Sequence, residues 1–294
     1  SKRFGGMKLS GFVNELDHEN QSQFSVCSFY LGDGTIFVAF RGTDDNLVGW
    51  KEDFNLSFSE GTGGQLKAVD YLNKNFARTM KNIRIGGHSK GGNFAVYGCS
   101  FCKPQIKDSI DSIIDIYNFD GPGFIKELLK KKEYKDIVGR IKKFIPEESI
   151  IGMLMYTKSK MMVVASNAKG INQHDPFSWQ ITRNHFDYVD KVAGSSEVID
   201  EIIKKWAVQF DYETRSLFGD VFFASLASSG ATKMSQLTSS KVRSLASLTK
   251  EIQSLDPENQ ALVIDVFVKL VAAGGDSLKN SLLSKLQKNL IMRK

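Results

Sequence analysis

Residues 83–97, which read IRIGGHSKGGNFAVY, decide the fold of this chain. The first three residues form a β-type run and the last five begin an apolar helix, so the stretch predicts a strand, a tight turn and a helix. The turn contains a G-x-S-x-G pattern with Ser89 at its centre. In this setting the pattern is typical of a serine nucleophile on a strained turn, where Gly87 and Gly91 leave room for neighbouring backbone.

The helix that follows the turn adds an electrostatic argument. The main-chain amide of Lys90, at the N-terminus of that helix, would face a developing oxyanion and be aided by the helix dipole. A phosphate-binding loop is the competing interpretation of a glycine-rich turn. Its G-x-x-x-x-G-K-[ST] pattern does not occur in the sequence, so we favour the nucleophile.

Strand-like and helical runs alternate over the first two thirds of the chain. Strands are predicted at residues 24–31, 35–40, 82–85, 112–119, 140–145 and 161–166, and helices at 65–80, 93–102, 125–134 and 195–210. This alternation favours an α/β fold with a mostly parallel central sheet. Only helical patterns follow residue 206. We therefore predict a first domain over residues 1–206 and an all-helical C-terminal appendage of three or four helices over residues 207–294.

Composition excludes several classes of protein. The 294 residues include 39 Lys+Arg and 33 Asp+Glu, a formal net charge of +6, and 41% are hydrophobic, which is typical of a globular chain. The small basic excess alternates with acidic residues, so we expect no nucleic-acid partner. Three cysteines are too few for a disulfide framework, and no cluster has metal-ligand spacing, so we expect no metal and no cofactor.

The N-terminal residues bear on localisation. They carry no apolar segment behind the basic pair Lys2 and Arg3, which argues against a signal peptide. The chain lacks an initiator Met, so we expect that it is truncated at the N-terminus. Together with the few cysteines, these features predict a cytoplasmic protein.

Five segments, in this order, resemble an uncharacterised bacterial family related to the class 3 (fungal-type) lipases of the α/β-hydrolase fold. The segments read AFRGTD at residues 39–44, WKEDF at 50–54, GHSKGGN at 87–93, NFDGPGF at 118–124 and QHDPFSW at 173–179. The likeness covers about residues 3–206. It implies that Ser89 is the nucleophile, and that Thr43, in the F-R-G-T segment, supplies the second half of the oxyanion hole beside Lys90.

The resemblance also limits the choice of catalytic base. The chain order of α/β-hydrolases, serine then acid then histidine, leaves His174 and His185 of the four histidines. His174 lies in the loop after the strand predicted at 161–166, where this fold places its base, so we select His174. The neighbour of the nucleophile, His88, is expected to point elsewhere.

The acid of the triad has two candidates. In class 3 lipases it follows the next-to-last strand, which here means Pro146-Glu147-Glu148-Ser149. Glu148 best matches the lipase aspartate, two positions after Pro146, and is the first choice although the family has Asp there. Asp120, which ends the preceding strand, is the alternative. The acid would hold the tautomer of the base and stabilise its imidazolium.

These assignments predict a serine hydrolase of the carboxylesterase or lipase type. It would cleave a small-molecule or lipid-like carboxylic ester through a Ser-His-acid triad and an acyl-enzyme. The alternatives are a non-catalytic binding module that uses the helical appendage, and a thioesterase or peptidase on the same triad. The appendage is a candidate for self-association and for transient contact with a membrane surface.

Overall fold

The computed structural model describes residues 2, 4–76, 82–107, 113–228, 230, 232–233 and 241–273. Its internal contacts divide the chain into two compact units. The first unit comprises Ser1–Thr43 and Glu60–Asp200, and the second comprises Asp44–Ser59 and Glu201–Lys294.

A seven-stranded sheet forms the centre of the first unit. Its strands are β1 (Lys8–Asp17), β2 (Ser22–Tyr30), β3 (Ile36–Phe40), β4 (Ile83–His88), β5 (Ile113–Phe119), β6 (Ile141–Pro146) and β7 (Met161–Val164). They lie side by side in sequence order. The β1–β2 and β2–β3 pairs are antiparallel, and the four pairs from β3 to β7 are parallel. The predicted mixed α/β fold with a mostly parallel sheet is confirmed.

Helices connect the strands and form most of the second unit. They are α1 (Leu47–Asn55), α2 (Gly63–Asn75), α3 (Lys90–Phe101), α4 (Pro104–Lys107), α5 (Lys126–Lys130), α6 (Lys132–Lys135), α7 (Gly194–Ala207), α8 (Tyr212–Ser228), α9 (Lys241–Gln253) and α10 (Pro257–Ala273). A short hairpin, β8 (Ile181–Thr182) and β9 (His185–Phe186), follows β7.

The structure differs from the sequence-based prediction at β1 and at residues 125–134, and it contains α1, α4 and the β8–β9 hairpin, which the sequence does not predict. The sequence does not predict strand β1, because it is an edge strand with mostly exposed side chains and lacks an apolar alternation. The helix predicted at 125–134 is two short helices, α5 and α6, separated by the extended backbone of Lys131. Residues 77–80 of the helix predicted at 65–80 lie outside the described residues.

One face of the sheet is buried under α2 and α3. Val38, Ile85 and Ile116 from three adjacent strands are fully buried against Leu72 of α2 and Phe94 of α3. Successive side chains of a strand point to opposite faces, so the alternate residues of the same strands face the other side of the sheet. This core fixes the register of the parallel strands, and with it the level at which each strand ends.

The other face of the sheet is covered by a smaller aromatic cluster near β6 and β7. Phe144 and Val164 are buried there beside Trp179, and Phe119 and Phe186 pack against them. The Trp179 ring lies 6.3 Å from the Phe119 ring and 5.5 Å from the Phe186 ring, measured between centroids. These contacts hold the segment after β7 against the strand ends.

In the second unit, α1 packs with the C-terminal helices. The ring of Phe54 in α1 lies 5.9 Å from that of Phe218 and 6.4 Å from that of Phe223, both in α8. Val263 and Val266 of α10 are buried in the same unit. The helical character expected after residue 206 is present in α8, α9 and α10, whereas the exact domain boundary at 206/207 stays a prediction.

Among the helices that the structure describes, none has both the length and the apolar character needed to cross a bilayer. The expected cytoplasmic location stays a prediction.

Burial predicts a large difference in stability between two isoleucines of β5. Ile116 is 0% exposed and Ile114 is 36% exposed. We expect Ile116→Ala to lower the free energy of unfolding by about 2–5 kcal/mol, since it leaves a cavity in a packed core. The matched variant Ile114→Ala should cost far less in chemical denaturation. Equal losses for the two variants would contradict the burial of this face.

Candidate active site

Sequence-predicted site residues follow the strands at one edge of the sheet. Because β3 to β7 run parallel, their carboxyl ends meet at the same edge, where α/β proteins bind ligands. The segments that leave this edge carry, in strand order, Thr43, Ser89, Asp120, Glu148 and His174.

Ser89 lies in the turn between β4 and α3 with an unusual backbone conformation. Its φ is 55° and its ψ is −133°, a region that favours glycine and is costly for a serine. Its main-chain N–H donates to the carbonyl oxygen of Phe119 at 2.9 Å, so the turn is attached to the end of β5. The side chain is half-buried and therefore remains within reach of solvent.

The two glycines of the G-x-S-x-G pattern stand where no side chain fits. A Cβ at Gly91 would collide with the backbone of Phe40 and Arg41, at the end of β3. A Cβ at Gly87 would collide with the backbone of Gly91 and with the carbonyl oxygen of Phe40. This close approach of the turn to β3 is the steric reason for both glycines.

The imidazole of His174 is joined to a buried carboxylate. Its Nδ1 lies 2.7 Å from Oδ2 of Asp120, whose side chain is 0% exposed. A carboxylate only accepts hydrogen bonds, so Nδ1 carries the ring proton and donates a hydrogen bond to Asp120. The other ring nitrogen, Nε2, is then the one that can accept a proton.

Asp120 has further hydrogen bonds that keep it in place. Its Oδ1 accepts from the hydroxyl of Ser149 at 2.5 Å and from the main-chain N–H of Gly152 at 3.1 Å. Burial of a carboxylate is costly unless donors replace the lost water, and together with His174 these groups supply three. The residue has a positive φ of 48°, which turns the chain sharply at the end of β5.

Two buried asparagines hold the loop that follows Asp120. Oδ1 of Asn118 accepts from the N–H of Gly121 at 2.8 Å. Nδ2 of Asn93, in α3, donates to the carbonyl oxygen of Gly123 at 2.8 Å, and Gln65 of α2 donates to Asn93 at 2.7 Å. The loop that positions the carboxylate is thus tied to both helices on the core face.

Glu148, the first-choice acid from sequence, contacts the segment that precedes His174 rather than its imidazole. Its main-chain N–H donates to Oε1 of Gln173 at 2.8 Å. Its carboxylate accepts from the main-chain N–H of Gly170, and also from Nε2 of Gln173 at 3.2 Å. The structure therefore brings the alternative candidate, Asp120, to the imidazole and uses Glu148 to hold residues 170–173.

The topology also places Asp120 next to the turn that carries Ser89. Strand β5 is the direct neighbour of β4, so the residue after β5 lies beside the turn at Ser89, whereas β6 is one strand further away. A rule that counts strands from the end of the sheet cannot detect which carboxylate is nearer to the imidazole.

Sequence reasoning misses the role of His88, whose side chain it expects to point away. Its Nε2 lies 2.7 Å from the main-chain oxygen of His174, and the two rings are 4.5 Å apart between centroids. Burial lowers the pKa of His88, and the positive charge that His174 can carry lowers it further. No local sequence signal distinguishes this contact from a solvent-facing histidine.

Of the expected oxyanion donors, Lys90 directly follows Ser89, and Thr43 directly follows Gly42, which lies close to the turn. Lys90 is the first residue of α3, and its buried side chain has Nζ 3.4 Å from Oε1 of Gln23. Gly42, directly before Thr43, is so near the turn that a Cβ there would lie 3.0 Å from Cβ of Ser89. The backbone of Gly42 and the start of α3 therefore lie next to Ser89.

The remaining histidines lie elsewhere on the first unit. His18 is exposed in the turn between β1 and β2. His185 is exposed in β9, where its ring stacks on Tyr188 with centroids 6.2 Å apart. Within the described part of the chain, no group of three or more His, Cys, Asp or Glu residues is arranged to hold a metal ion. The expectation of no metal and no cofactor stays a prediction.

Comparison with known proteins gives one family match and several distant structural likenesses. The family described as Mbeg1-like matches residues 1–224. Among curated proteins, none matches the sequence.

The solved structures to which the chain is similar include fungal lipases. The native propeptide complex of Rhizomucor miehei lipase has 14% identity and a TM-score of 0.37, with 55% of this chain and 57% of that chain covered. For a deletion mutant of that complex the identity is 13% and the TM-score is 0.36, with 55% of this chain and 56% of that chain covered. For a fungal lipase–inhibitor complex the identity is 15% and the TM-score is 0.38, with 72% of this chain and 79% of that chain covered. The chain thus spans less than two thirds of the two Rhizomucor structures.

The buried environment of His88 predicts the direction in which the pKa of its imidazole is shifted. Its pKa should lie below the ordinary value of about 6.5, because burial disfavours the charged ring. The unfolded chain then binds this proton more readily. The contribution of His88 to stability is therefore present above that ordinary value and is lost as pH falls from it through the lower pKa of the folded state. NMR titration of the imidazole carbons measures the midpoint, and a midpoint at or above the ordinary value would contradict the burial of this ring.

Proposed function

The chain belongs to the Mbeg1-like family, and we propose that it is a serine hydrolase with the α/β-hydrolase fold of the class 3 lipases. The proposed reaction is hydrolysis of a carboxylic ester through an acyl-enzyme on Ser89. One observation carries the proposal above all others. This is the hydrogen bond, 2.7 Å long, that the His174 imidazole donates to the buried carboxylate of Asp120. It is supported by the strained turn at Ser89 and by the contact of His88, the residue before Ser89, with His174.

The proposed first step is attack by Ser89. Its Oγ forms a bond to the carbonyl carbon of the ester as its proton passes to Nε2 of His174. Asp120 keeps the Nδ1 proton in place and stabilises the imidazolium that forms. The negative charge on the carbonyl oxygen is held by the main-chain amides of Thr43 and Lys90.

The proposed second half returns the enzyme to its starting state. The tetrahedral intermediate collapses, the C–O bond of the ester breaks, and His174 gives its proton to the leaving alcohol. Water then attacks the acyl-enzyme as His174 takes a proton from it. The acyl C–Oγ bond breaks, His174 returns the proton to Oγ of Ser89, and the carboxylic acid product leaves. His174 is half-exposed, which is consistent with access for this water.

In this proposal Asp120 replaces Glu148 as the acid of the triad. The hydrogen bonds from Ser149 and Gly152 support this assignment, because they fix the carboxylate that orients the imidazole. A lipid-like acyl chain is the substrate class that the resemblance to class 3 lipases implies.

Activity-based labelling tests the nucleophile. A fluorophosphonate should label the wild type, and the adduct should map to Ser89 by mass spectrometry. Ser89→Ala should lose both labelling and the hydrolysis of short-chain p-nitrophenyl esters, since the attacking oxygen is gone. The exposed residue Ser195 of α7 provides the matched control, and Ser195→Ala should label as the wild type does. A folded wild type that takes no label would contradict the proposal.

The identity of the acid is tested by two amide substitutions. Asp120→Asn should lower kcat by roughly 10⁴-fold, because His174 would then be held in the wrong tautomer. Glu148→Gln weakens hydrogen bonds in the loop and should mainly lower the free energy of unfolding, by about 1–3 kcal/mol. The measurements are steady-state ester hydrolysis and chemical denaturation. A larger loss of kcat in Glu148→Gln than in Asp120→Asn would restore Glu148 as the acid.

A further inference from the structure

The position of His88 in the sheet follows from the alternation of β4. Ile83 and Ile85 point into the core under α2 and α3, so His88 lies on the other face of the sheet. It is paired in register with Phe119 of β5. Trp179 packs against Phe119 on that face, so the segment that carries His174 lies there as well.

The contact between His88 and His174 has a defined direction. The main-chain oxygen of His174 can only accept a hydrogen bond. Nε2 of His88 therefore carries a proton and donates a hydrogen bond to that oxygen, with 2.7 Å between the two atoms. The two rings lie 4.5 Å apart with their planes at 39°. His88 thus contacts His174 in two ways: its N–H binds the backbone of His174, and its ring packs against the ring of His174.

Other groups hold the segment around His174 by different contacts. Nε1 of Trp179 donates to the main-chain oxygen of Gln173 at 2.8 Å. The side chain of Gln173 is bound to Glu148, and the Nδ1 of His174 is bound to Asp120. His88, the residue directly before Ser89, binds the main-chain oxygen of His174.

The protonation of His88 suits this role. The hydrogen bond to His174, together with the charge on Asp120 and Asp175, raises its pKa, but burial and the charge of His174 outweigh them and the pKa is lowered. Near neutral pH the ring is therefore uncharged and still has one N–H to donate. An uncharged neighbour does not repel the imidazolium that His174 would form during the reaction.

We propose that His88 is a positioning residue, which fixes the backbone and ring of His174 relative to Ser89. In the proposed mechanism it forms no bond to the substrate and transfers no proton. The inference rests on the proposed function, since it gives His88 a part in aligning the proposed base with the proposed nucleophile.

Three substitutions of His88 separate its hydrogen bond from its bulk. His88→Gln keeps an amide N–H near the position of Nε2, whereas the shorter side chain in His88→Asn does not reach it. His88→Phe keeps a ring and has no donor. His18→Phe, at an exposed histidine of the same unit, is the matched control.

We expect kcat to fall in the variants that have no N–H within reach of the main-chain oxygen of His174. His88→Phe and His88→Asn should lower kcat by roughly 100-fold, with little change in KM, because the base is misplaced while substrate binding is not. His88→Gln should recover most of the activity, and His18→Phe should match the wild type.

The outcomes distinguish this inference from the proposed function. An inactive, unlabelled wild type overturns both. An active wild type with an equally active His88→Phe or His88→Asn variant overturns the positioning role alone. If His88→Phe does not fold, His88→Gln and His88→Asn are compared instead. Equal activity in these two variants overturns the inference.

Discussion

The hydrogen bond from Nδ1 of His174 to Oδ2 of Asp120 joins two loops that are 54 residues apart in the chain. It depends on a carboxylate that is completely buried, and a buried carboxylate persists only where donors surround it. Ser149 and Gly152 supply the other two donors, so the loop after β6 also takes part. The interaction thus couples the ends of β5, β6 and β7 at one edge of the sheet.

A second constraint is the close approach of the turn at Ser89 to its neighbours. The glycines on both sides of the serine allow α3 to begin directly against the end of β3. The main chain of Ser89 is bound to Phe119, the residue before Asp120. Backbone contacts between adjacent parallel strands therefore bring the serine and the carboxylate to the same level, and the segment after β7 adds the imidazole.

Local pattern is sufficient to predict most of the fold and part of the site. Strand–turn–helix patterning around Ser89 and the alternation of β3 to β7 depend on short-range sequence, so both are visible in the sequence itself. The choice between Asp120 and Glu148 is not, because it depends on which loop lies nearer to His174 in three dimensions. The same holds for His88, whose contact depends on the register of β4 with β5 and on packing of Trp179. Pairing α1 with the C-terminal helices likewise rests on aromatic contacts distant in sequence.

Proton NMR of the imidazole N–H of His174 tests the central interaction most directly. A short hydrogen bond to a buried carboxylate should place the Nδ1 proton far downfield of the amide region. We predict that this resonance is present in the wild type, absent in Asp120→Ala and retained in Glu148→Ala. A resonance that survives Asp120→Ala and disappears in Glu148→Ala would contradict the pairing of His174 with Asp120.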